Sequence, residues 1–206
     1  MKSPPKINKS DTKQTKIKPI IQKNGSIKFS DHNEFRPNLT PKQILQMGSF
    51  GGTYFRPIHS SVIKKNLKED HKEFPESWFK NLDIEKYVTS LNYDKSVNTY
   101  KVKCGQSLEA WQESGWISEL DPYGWFQWYC RFYLGRRNVE EDNRQIKRFN
   151  NLTGPKGRFR NRLIGMIHKK NTEYNDFTIS PVIRQVLQHW GYKLTKKDYD
   201  NRVKEL

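Results

Sequence analysis

Asp121-Pro122-Tyr123-Gly124-Trp125-Phe126-Gln127-Trp128-Tyr129-Cys130-Arg131-Phe132-Tyr133-Leu134-Gly135-Arg136-Arg137 is the stretch that decides the fold. Seven of the twelve residues from Tyr123 to Leu134 are aromatic. They lie nearly all around a helix of 3.6-residue period, so the segment reads as a buried central helix rather than a surface one. Asp121-Pro122 reads as an N-cap with proline in the first turn, and Gly135 as the glycine just past the end. The aromatic rings could serve base stacking or electron hopping. Core packing explains them with fewer assumptions.

Working outward, the caps set a series of short helices. Thr40-Pro41-Lys42-Gln43 is a capping box ahead of Ile44, Leu45 and Met47, stopped by Gly48. Pro75 opens a turn carrying Trp78 and Phe79, Asp83 caps Ile84 to Val88, and Ser107 caps Leu108 to Trp111. After Arg137, three acids (Glu140, Glu141, Asp142) suit the positive end of a helix whose apolar stripe is Val139, Ile146, Phe149 and Leu152. Gly154-Pro155-Lys156-Gly157 is a turn, followed by a helix with Phe159, Leu163, Met166 and Ile167 on one face. Arg158, Arg162, Gly165 and Lys169 align on the other face as a cationic ridge. Ser180-Pro181 starts a helix through Trp190 that ends at Gly191. Partial alternation over 97–104 suggests a small β-hairpin, and residues 56–75 read as an irregular charged excursion. The fold class is mainly α: a single compact multi-helix domain around an aromatic central helix, spanning 35–193. A disordered Lys-rich tail (1–34) and a polar C-terminal tail (194–206) flank it.

Charge is concentrated. The 206 residues carry a net charge of +16, with residues 1–28 at +7 and residues 131–170 at +9, while 29–130 and 171–206 nearly balance. Such a footprint points to an acidic partner, first of all nucleic acid, DNA or RNA. Arg outnumbers Lys eight to four in 131–170, and arginine suits bidentate phosphate contacts. The binding residues expected on this reading are Arg136, Arg137, Arg144, Lys147, Arg148, Lys156, Arg158, Arg160, Arg162 and Lys169. The two helices and their turn also have the outline of a helix-turn-helix. Gly51 and Gly52, in Ser49-Phe50-Gly51-Gly52-Thr53, could admit a phosphate close to the backbone or simply tuck aromatic residues inward.

Other chemistry finds little purchase. The five histidines are scattered and the two cysteines, Cys104 and Cys130, form no CxxC pair, so no metal and no cofactor is expected. Cys130 sits among aromatics, where its thiol stays inert, whereas Cys104 lies beside Lys101 and Lys103 without a recognisable base. Asp121, next to Tyr123 and Trp125, is the candidate acid for a base-excision or base-modifying enzyme. A non-enzymatic interaction or packaging protein for an acidic partner is the third reading. No run is apolar enough to cross a membrane and the start lacks a secretory h-region, so the expected setting is intracellular: nucleus, cytoplasm, or a viral particle or factory.

The run 124–137, with Asp142, Arg144-Gln145-Ile146 and Phe149, resembles an uncharacterised family of small tryptophan-rich proteins of plants, fungi, some bacteria and large DNA viruses. Phe50-Gly51-Gly52-Thr53-Tyr54 and Leu108-Glu109-Ala110-Trp111 with Ser114-Gly115-Trp116-Ile117 carry the same resemblance. It covers roughly 39–190 and implies no activity, cofactor or catalytic residue. The lysine-rich tail lies outside it, and 58–72 reads as a local elaboration.

Overall fold

Trp128 is fully enclosed, and the domain is best described from it outward. It lies on helix α4 (Trp125–Tyr133), whose residues Trp125 to Cys130 and Phe132 are all buried. Phe35 stacks edge-on against Tyr129, Phe132 and Phe149, at centroid distances of 5.6, 5.5 and 4.8 Å. Offset and edge-to-face pairs of this kind add stabilisation beyond the area they bury. Two buried polar groups on the same helix find partners: the Tyr129 hydroxyl donates to Leu39 O (2.8 Å), and the Trp128 indole N–H to Asp142 Oδ1 (2.8 Å).

The computed structural model describes residue 3 and residues 5–206. Around α4 are α1 (Pro41–Met47), α2 (Ile84–Tyr87), α3 (Leu108–Glu113), α5 (Val139–Thr153), α6 (Arg158–Lys170), α7 (Pro181–His189) and α8 (Lys196–Val203). Helix α4 packs on α1 and α5, α5 packs on α6, and α6 also packs on α7 and α8. The fold is mainly helical with an aromatic core and small two-stranded ladders. Thr40 closes its capping box with Gln43, Asp83 accepts from Lys86 N, and Ser107 accepts from Ala110 N.

Several local expectations are corrected. Asp121 does not cap α4. The helix starts after Gly124, and Asp121 is drawn instead into a buried ion pair with Arg136. A charged carboxylate with two guanidinium partners at hand gains more from them than from backbone N–H groups. Val139 is 72% exposed because Asn138, as N-cap, turns the first residue of α5 outward. Met166 is also exposed, and Ile164 takes its place in the core beside Leu163 and Ile167. Among the described residues no strand forms over 97–104. The hairpin lies in the supposed excursion, where β4 (Ile58–Ser60) pairs antiparallel with β5 (Lys65–Leu67).

The N-terminal segment expected to be disordered is tied to the domain; positions 1, 2 and 4 of it lie outside the described residues. Strand β1 (Lys13–Gln14) pairs antiparallel with β6 (Arg136–Arg137). Thr15 donates from both N and Oγ1 to Gly135 O, each at 2.9 Å. Strands β2 (Ile20–Ile21) and β3 (Ile27–Lys28) then form a hairpin that delivers Ile27 and Phe29 into the core. The domain therefore begins before residue 35. It also continues past 193: Leu194 is buried, and the Tyr192 hydroxyl reaches Asp198 on α8 at 2.7 Å.

Candidate nucleic-acid interface

The basic stretch divides into cations held within the fold and cations left free. Arg136 and Asp121 meet fork to fork, Nη1–Oδ1 at 2.8 Å and Nη2–Oδ2 at 2.7 Å, with Asp121 wholly enclosed. Arg131 Nη1 adds a third contact at 3.1 Å and also pairs bidentately with Glu73. Arg137 holds Asp31 (2.7 Å), donates to Phe132 O and Arg136 O, and lies 3.7 Å above the Phe132 ring. Arg144 grips the buried carboxylate of Glu141 at 2.6 and 2.8 Å. Arg160 pairs with Asp198 at 2.7 Å and lies over Tyr192. These are structural braces. Burial without a partner would cost each of them dearly, which is why each finds an acid.

Two expected roles are corrected by this arrangement. Asp121 is no open acid in a pocket, because both its oxygens accept from guanidinium groups. Arg136 and Arg137 are buried and ion-paired rather than presented to a ligand.

The glycine link is also full. Gly51 N–H donates to Asn98 Oδ1 (2.8 Å), and a Cβ on Gly51 would lie 2.6 Å from the Tyr93 ring. A Cβ on Gly52 would collide with Lys86 O. The close approach that these glycines permit is made by the protein's own chain, and the anion-cradle expectation is overturned.

Exposed and free of any carboxylate partner, among the described residues, are Lys147, Lys156, Arg158, Arg162, Lys169 and Lys170. Arg158, Arg162 and Lys169 share one edge of α6. Between them Gly165 leaves open space where a Cβ would sit. Helix α6 starts at Gly157 without a side-chain cap, so its first-turn N–H groups add positive potential beside Lys156 and Arg158. Arg148 belongs to neither group. It is half-buried between Trp116 and Trp190, its guanidinium carbon 5.6 and 5.3 Å from the two rings.

One contact invisible in the sequence joins Cys104 and His189, 85 positions apart, with Sγ 3.5 Å from Nδ1. Phe50 N–H donates to His189 Nε2 at 2.9 Å, so in the neutral ring Nδ1 carries the proton and points it at sulfur. Burial pushes the Cys104 thiol up to about 12 and the His189 imidazole down to about 3. A protonated Nδ1 cannot take the thiol proton, so the pair is a buried contact rather than an activated nucleophile. No three His, Cys, Asp or Glu side chains converge as a metal site among the described residues. No helix among them is long and apolar enough to cross a membrane.

A cleft of about 340 Å³ lies elsewhere, lined by Met47, Thr99, Tyr100, Lys101, Phe177 and Lys193. Lys101 there is engaged with Ser96 O. The chain matches no protein-family model, no curated protein and no solved structure.

Proposed function

We propose that the protein binds the phosphate backbone of nucleic acid through the exposed cations of α5, the following turn and α6. One observation carries this reading. Within 131–170, Arg131, Arg136, Arg137, Arg144 and Arg160 each find an acid, whereas Lys147, Lys156, Arg158, Arg162, Lys169 and Lys170 are left without one among the described residues. These six are exposed and have no acid to answer them within the fold; the phosphates of a polyanion supply that charge from outside. The open notch at Gly165 supports close approach of a bulky backbone to the ridge. An acidic protein surface is the competing partner, favoured if no polynucleotide binds even at low salt.

The test is the double substitution Arg158→Gln/Arg162→Gln, followed by titration with duplex DNA, single-stranded DNA and RNA across a salt series. Binding should weaken on all sequences alike, and the log–log salt slope should fall by about one for each lost phosphate contact. Lys65→Gln/Lys68→Gln, at the start of β5 and just past its end, removes the same charge outside α5 and α6 and should change little. Equal loss from both pairs would mean that net charge, rather than the ridge, governs binding. An unchanged affinity in the α6 variant would overturn the reading.

A further inference from the structure

Arg148 is the one arginine of the basic stretch that is substantially enclosed and yet has no carboxylate within ion-pair distance among the described residues. Its Nη1 donates to Gln145 Oε1 at 3.0 Å and approaches Trp116 O at 3.5 Å, while Nε and Nη2 meet no acceptor among the described residues. Glu141, two turns back on α5, cannot answer it. That carboxylate already accepts from Arg144, Gln145 and Ser118. Burial lowers the Arg148 guanidinium to about 10, with the charge of Arg144 adding to the effect.

The walls around this group are aromatic. Trp116 is 41% exposed and Trp190 is half-buried; Trp190 packs on Trp125 with centroids 4.6 Å apart. Trp125 is only 7% exposed, and its indole N–H has no acceptor among the described residues. The cluster thus holds spare donors and a positive charge, with no acceptor to balance them. Cation–π contact with two indoles offsets part of the charge's burial and leaves the Nε and Nη2 edge of the guanidinium without a hydrogen bond among the described residues.

We propose that Trp116, Arg148 and Trp190 form a site for a nucleotide unit, with the phosphate on the Arg148 fork and the base on the exposed face of Trp116. The proposal rests on the polyanion reading above and narrows it to strands with unstacked bases. A guanidinium fork matches two phosphate oxygens, and an exposed indole gives any base a stacking surface without sequence preference. Lys147, the exposed neighbour on the same helix, can follow the strand beyond the site.

The test uses the full chain labelled at its tryptophan indole nitrogens and titrated with 5′-adenosine monophosphate, adenosine and inorganic phosphate separately. The monophosphate should shift the indole signals of Trp116 and Trp190, with inorganic phosphate and adenosine each at least tenfold weaker. Phosphate binding as tightly as the nucleotide, or no shift of these signals at millimolar ligand, would overturn the assignment. Arg148→Met keeps an apolar body between the rings and removes the unanswered charge. It should weaken nucleotide binding at least tenfold while leaving the Tm unchanged or raised. A lowered Tm with nucleotide binding intact would make Arg148 a strut and sink the site. Trp116→Ala, on an exposed ring beyond α3, gives the same answer without touching the core: undiminished binding there also refutes the proposal. Arg158→Gln/Arg162→Gln should leave mononucleotide binding unaltered. If that variant keeps full polynucleotide affinity while Arg148→Met loses the nucleotide, the α6 reading fails and this one stands.

Discussion

Asp121 shows how a residue's neighbours in space outweigh its neighbours in sequence. Before Pro122 it has every mark of a helix cap, yet its carboxylate is fully buried between Arg136 and Arg131. Replacing it by Asn keeps the shape but strips the charge, stranding Arg136 at 9% exposure with no acid. Removing one partner of a buried pair typically costs about 3–5 kcal/mol, far above the cost of losing a cap, about 1 kcal/mol. Urea denaturation of Asp121→Asn should therefore show a loss in the larger range. A loss near 1 kcal/mol would return Asp121 to the role of a local cap. Asp142 is a parallel case. It stands in the first turn of α5, where a favourable helix dipole would suffice to explain it. Its oxygens in fact receive Trp128 Nε1 and Asn138 N, and burial raises the carboxyl above its ordinary range. The Asn138 contact is local, but no local pattern encodes Asp142 with Trp128 or Asp121 with Arg136, since each joins groups 14 or 15 residues apart.

At the level of elements, caps were legible wherever the competing interactions were also local. Thr40, Asp83 and Ser107 do what their spacing suggests because no distant partner claims them. The aromatic run of α4 was legible because its density leaves no face for water. The β4–β5 hairpin was not, since its three-residue strands lack alternation and its anchors, the His59–Asn66 contact across the strands and the packing of Ile58 and Leu67 on the core, appear only once the chain is folded. The N-terminal strap escaped detection for a related reason. Before Ile27 it buries no large hydrophobic residue, so composition alone reads as disorder, while its anchors are backbone bonds to Gly135 and from Asn138 Nδ2 to Asn8 O. Gly135 permits this, with φ +98° and a would-be Cβ only 2.6 Å from Thr15 O. These anchors predict a graded response to truncation. Deleting residues 1–16 removes exposed and part-buried hydrogen bonds, each worth roughly 0.5–1.5 kcal/mol, but opens their partners to water and releases the strap's entropy, so the net loss should stay under about 2 kcal/mol. Deleting through residue 30 also removes Ile27 and Phe29 from the core, and folding should fail. Thermal melts of the two truncations decide it: equal behaviour of both would contradict the assignment of the strap as peripheral and Phe29 as core.

For the whole molecule, the decisive quantity is how the charge is partitioned. The net +16 is a remainder left after the braces have consumed their acids. The interior pairs, such as Asp121 with Arg136, are poorly reached by dissolved ions, whereas the surplus on α6 and the strap is exposed to them. Salt should then relieve repulsion at the surface while barely weakening the pairs inside. Stability is expected to rise between about 20 and 200 mM NaCl, the opposite of a fold held by surface ion pairs. If screening recovers about 1 kcal/mol, the Tm should climb by roughly 2–4 °C for a chain of this size. Arg158→Gln/Arg162→Gln removes two of the mutually repelling charges. It should start from a higher Tm at low salt and gain less on screening, even as its hold on polyanions weakens. A Tm that falls with added salt would mean that exposed pairs such as Lys9–Glu119 and Lys196–Asp200 outweigh the surplus. In that case the unpaired ridge is not under repulsive strain, and it loses one physical reason to seek an anionic partner.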